Sequence, residues 1–144
     1  MAFAALFSIA SLPVCMAQVY QNVTLPSATP VVLEVASAFS SDDITEGSLV
    51  KLTVKYAVIV EGAYVVRTRA VATGKVLKIK MGSFNYPTLV TIEALNVQTV
   101  DEKMIALNGE ATFKSAFNGE AATVQIGQIL QAAVTNNVSV RGVQ

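Results

Sequence analysis

Apolar side chains in this chain recur at every second position, in short runs, and that period decides what it can fold into. Val50, Leu52 and Val54 alternate with Lys51, Thr53 and Lys55, and the pattern carries on to Tyr56 and Val58. A period of two sends alternate side chains to opposite faces of an extended strand. The same alternation runs through Val31–Val35 and Leu89–Leu95, with Val and Thr prominent throughout, as a pleated surface favours. Turn residues interrupt these runs at Glu61-Gly62, Ser83 to Pro87, Asn108-Gly109 and Asn118-Gly119. Only residues 121–133 could be read as a helix, and Gly127 opposes it. The pattern predicts one all-β domain over residues 18–144, a mostly antiparallel β-barrel or β-sandwich of about seven to nine strands.

Charge and residue inventory then narrow the function. Charged residues make up 14% of the chain against 53% hydrophobic ones. Average soluble proteins carry roughly 25% charge, so the surface is short of polar cover and a protein partner, a second copy or a nearby membrane is expected. Ten basic and ten acidic residues cancel, which leaves no field to attract nucleic acid. There is no histidine, and Cys15 is the one cysteine. The usual zinc and copper ligand sets and the Ser–His and Cys–His catalytic pairs therefore lack their parts. No cofactor, metal or catalytic residue is expected, and the reading is of a non-enzyme.

Residues 1–17 contain no charge and hold an apolar run from Ala2 to Val14. That run has the length of a signal-peptide core and is too short for a membrane span. Cleavage after Ala17 would start the mature chain at Gln18. Cys15 would carry an acyl chain if the segment is instead a lipoprotein signal, and the third reading is a retained hydrophobic N-terminal segment. A periplasmic or extracellular location follows as the expectation.

Four stretches invite a functional reading. Arg67, Arg69, Lys75, Lys78 and Lys80 lie in a segment without acidic side chains. If 67–69 and 78–80 are paired strands, their faces merge into one basic patch suited to phosphate, lipid headgroups or an acidic partner. A solvated strand face is the plainer account. Phe84 and Tyr86 sit in an expected loop, where they either contact a partner or close the end of a β core. Asp42, Asp43 and Glu46 form an oxygen-rich loop that suits calcium or simple turn capping. Asp101-Glu102 are adjacent and point apart on a strand or lie in a turn, so they do not make a general acid–base pair.

Several motifs fall in a familiar order. Leu25-Pro26-Ser27-Ala28-Thr29-Pro30-Val31 opens the domain, and Glu46-Gly47-Ser48-Leu49-Val50 follows. Val58-Ile59-Val60-Glu61-Gly62 and Ala72-Thr73-Gly74-Lys75-Val76 come next, then Val100-Asp101 before Ile105-Ala106-Leu107-Asn108-Gly109. This order resembles a group of exported bacterial β-domains and is distantly similar to the β-barrel domain of the outer-membrane core component of type IV secretion systems. Ala28, Arg69 and Glu102 stand where that group carries glycine, the residue that normally allows tight backbone geometry at those positions. The resemblance implies a structural or protein-interaction role in the cell envelope and transfers no catalytic residue. The other role open to a barrel is to carry a small apolar or lipid ligand inside it.

Overall fold

The computed structural model describes residues 19–144, so the expected export signal, Cys15 and the start at Gln18 lie outside the described residues. The described residues form strands and no helix: β1 (Tyr20–Leu25), β2 (Pro30–Val35), β3 (Phe39–Ser40), β4 (Leu49–Val54), β5 (Val58–Val60), β6 (Ala63–Val66), β7 (Val71–Lys80), β8 (Pro87–Gln98), β9 (Met104–Asn108), β10 (Glu110–Asn118), β11 (Thr123–Val124), β12 (Ile129–Val134) and β13 (Val138–Val143). All pairings between them are antiparallel. The all-β, antiparallel expectation holds, with several pieces of only two to four residues adding to the strand count.

Six strands close into a barrel in the order β8-β7-β4-β2-β12-β9, and β9 pairs back onto β8. Closure depends on Gly109. Strands β9 and β10 are one bent strand running along β8, from Gln98↔Met104 to Leu89↔Lys114. Before the bend the strand also pairs with β12, through Asn108↔Ala133 and Leu107↔Val134. Past the bend it keeps only β8. A Cβ at Gly109 would meet Gln131 O at 2.5 Å and Ala132 Cα at 2.8 Å, so only glycine permits the crossing. Asn108-Gly109 is thus a kink at the barrel seam and not the expected turn. Glu61-Gly62, by contrast, does reverse the chain between β5 and β6, with φ of 51° and 81°, the two left-handed residues of a tight hairpin.

The barrel interior holds the inward set of every strand. Val31, Leu33 and Val35 meet Leu52, Val54, Val76, Val90, Ile92 and Leu130, all buried in one cluster. Strand β4 ends at Val54, and Tyr56 turns out to solvent, so the alternation expected to continue through Tyr56 breaks at a bend. A second, four-stranded sheet, β1-β13-β6-β5, adds Val23, Leu25, Ala63, Val65 and Val140 to the same core. Residues 121–133 form β11, a turn at Gly127 (φ 92°) and β12, with no helix.

Candidate functional site

Strand β7 separates the basic residues that the sequence places together. Arg67 and Arg69 are not on a strand; they occupy the turn between β6 and β7, and Arg69 has φ of 70°. The two arginines line a shallow cleft of about 360 Å³ with Thr99 and Glu102. Strands β6 and β7 belong to different sheets, so the expected hairpin patch does not form. Ten residues of β7, roughly 33 Å of extended chain, lead away from this turn to Lys80.

The lysines divide again. Lys75 pairs across to Glu93, which pairs in turn to Glu110 on the next strand. Beyond it Leu77 is skipped by the ladder, and Lys78 pairs with Thr91. That bulge restores the outward direction, so Lys78 and Lys80 share the outer face with Lys75 despite the odd spacing. Lys80 lies in the row Lys80–Leu89–Lys114, and Lys78 in the row behind it, Lys78–Thr91–Thr112. Among the described residues no carboxylate lies within 4.0 Å of these three lysines. Lys114, which sequence reasoning missed, replaces the arginines as their companion. Its place follows from the β8–β10 register, a contact between distant segments that no local pattern reveals.

Phe84 and Tyr86 lie just past the end of this lysine row, in the hairpin that joins β7 to β8. Ser83 N donates to Tyr86 O at 2.9 Å and Tyr86 N returns the bond to Ser83 O at 3.1 Å, which leaves Phe84-Asn85 as the turn. Gly119 N donates to Tyr86 O at 3.1 Å and Asn118 Nδ2 to Phe84 O at 3.4 Å. Gly82 N donates to Thr88 Oγ1 at 2.9 Å, and Thr88 N to the Ser115 hydroxyl at 3.0 Å. The end of β10 is thereby fastened to the hairpin, and Phe117 joins its apolar surface.

That surface is out of keeping with a solvated turn. Phe84 is 92% exposed, Phe117 67%, and Met81 and Tyr86 64% each. Each such side chain left in water forgoes about 1.5–3 kcal/mol of burial, and single exposed apolar residues are common but clusters are not. Phe84 and Tyr86 therefore do not close the core; Phe113, partly buried, packs against it instead.

The two acidic stretches serve the fold. Ser40 Oγ receives the Asp42 amide at 3.3 Å and Ser48 Oγ the Thr45 amide at 3.1 Å, while Glu46 Oε2 accepts Ile79 N at 2.9 Å. Turn capping accounts for this loop, and among the described residues no group of three or more potential acidic or cysteine ligands converges. Asp101 and Glu102 lie in the turn between β8 and β9, where Asp101 accepts the Arg141 amide at 3.0 Å and Glu102 has φ of 65°.

No protein-family model matches the chain, and no curated protein matches its sequence.

Proposed function

We propose that this domain is a non-enzymatic interaction domain of the bacterial cell envelope, exported across the inner membrane, that docks through the hairpin tip at residues 81–86. The observation that carries this reading is the exposure of Met81, Phe84 and Tyr86 on a turn held by interlocking hydrogen bonds, with exposed Phe117 on the strand end fastened to it. A rigid scaffold that holds apolar groups in water loses less conformational entropy when those groups are covered. Left-handed backbone at Ala28, Arg69 and Glu102 supports kinship with the exported β-domains that carry glycine there. A ligand carrier would need the barrel's interior, and Leu33, Leu52, Ile92 and Leu130, each 1% exposed or less, occupy it.

Fractionation of cells producing the full chain tests this role, with an intact mass taken on the recovered protein. The reading expects the protein in the envelope fraction, beginning at Gln18. A full-length chain found free in the cytoplasm would overturn it.

A further inference from the structure

From the tip and the lysines behind it, we infer that the tip docks on the surface of an anionic lipid bilayer, with the aromatic side chains at the acyl boundary and the lysines at the phosphates. This rests on the reading of residues 81–86 as the docking surface and names its occupant.

The shape of the surface argues first. Phe84, 92% exposed, is a projection and not the floor of a groove, and a bilayer is the soft, continuous apolar phase that receives a projection without a prepared pocket. The order of chemistry along the hairpin argues second. Phe84 lies in the turn itself, Tyr86 closes it, and Phe117 precedes Asn118, which pairs with Pro87; the row Lys80–Leu89–Lys114 follows, with Lys78 in the next row. Lys80 lies three residues before Ser83, so its Cα trails the turn by about 10 Å. Apolar groups that lie in the interface penetrate about 5–10 Å. At that depth the lysine ammonium groups, extended along their stems, reach the headgroup phosphates.

Charge argues third. Lys78, Lys80 and Lys114 have no carboxylate within 4.0 Å among the described residues; Lys75, farther from the tip and likewise without an ion pair, has Glu93 opposite it on the ladder. Glu46 stands near the lysines but gives one oxygen to Ile79 N, and Glu120 follows the turn at Gly119. Three lysines without an ion-pair partner thus stand behind the apolar end, the arrangement an anionic surface complements.

Flotation of the purified domain with phosphatidylcholine vesicles, made with and without phosphatidylglycerol, tests the assignment. Wild type is expected to float with the phosphatidylglycerol vesicles and to release at high salt. Phe84→Ser is expected to weaken binding at least about tenfold. The Lys80→Gln/Lys114→Gln pair is expected to weaken it roughly 25-fold, about fivefold for each lysine, and to abolish the preference for phosphatidylglycerol. Leu49→Ser, an exposed apolar residue on β4, serves as the control and should change nothing. Thermal unfolding of each variant separates lost binding from lost fold. Absence of flotation by folded wild type, or flotation indifferent to Phe84→Ser, overturns the lipid assignment. If a tip-dependent complex with an envelope protein then remains, the docking reading survives with a different occupant; if it does not, both fall.

Discussion

The Asp101 carboxylate accepts the Arg141 amide at 3.0 Å, and this bond fastens the turn after β8 to the last strand of the second sheet. Thr99 Oγ1 donates to the other carboxylate oxygen. Lys103 Nζ lies 3.7 Å from Asp101 and also donates to Ser139 O at 2.8 Å, so this turn is tied to β13 by two bonds. Burial pushes the Asp101 carboxyl up, but the bonds from Thr99 and Arg141 and the Lys103 charge together hold it below its ordinary value of 3.8. A folded value below the unfolded one means that the ionised group stabilises the fold above that value. Its contribution is lost as the pH falls from 3.8 through the lower folded value. Asp101→Ala should cost about 1–3 kcal/mol at neutral pH and remove this part of the acid sensitivity, as urea midpoints at about pH 7 and about pH 3 would reveal.

Ala28, Arg69 and Glu102 have φ of 68°, 70° and 65°. A left-handed conformation costs a residue with a Cβ roughly 1–2 kcal/mol, and glycine's extra freedom in the unfolded chain gives back about 0.5–1. Replacing any one of them with glycine should therefore raise stability by about 0.5–1 kcal/mol. Glu61, at φ 51° before Gly62, should gain similarly from Asn, the residue that tight hairpin turns favour. Denaturant unfolding of the single variants checks all four.

Much of the fold was legible in the sequence because alternation and turn chemistry are local. Val31, Leu33 and Val35 face inward as their spacing requires. What could not be read depended on register between distant segments. Asn108-Gly109 has the composition of a turn, yet the closing of β9 onto β12 makes it a kink. Arg67 and Arg69 share the spacing of a strand face, but the chain passes from one sheet to the other there. Lys114 and Phe117 join the candidate surface only because β10 lies against β8. A bulge at Leu77, invisible in composition, keeps Lys78 and Lys80 outside.

Gly109→Ala should lower stability by about 1–3 kcal/mol or more, because its Cβ would press on the backbone of Gln131 and Ala132 where neither can yield easily. Gly47→Ala, where no atom lies within 4 Å of the added Cβ, meets only the left-handed strain, about 1–2 kcal/mol. Comparing the two variants in urea separates closure of the barrel from backbone strain alone.

Serine at Phe84, Tyr86 or Phe117 should change stability by no more than about 0.5 kcal/mol, since exposed positions away from caps and the core seldom do more. Leu33→Ala, in the barrel interior with 0% exposure, should instead cost about 2–5 kcal/mol. Thermal denaturation of these variants would show whether the aromatic tip is independent of the fold.

The central claim, that the domain docks through this tip, is tested most directly by placing a photo-crosslinking phenylalanine analogue at position 84 and irradiating intact cells. The account predicts covalent adducts from position 84 and none from Gln131, exposed on β12. Equal yields from the two positions, or no adduct from position 84 in a correctly folded protein, would contradict it.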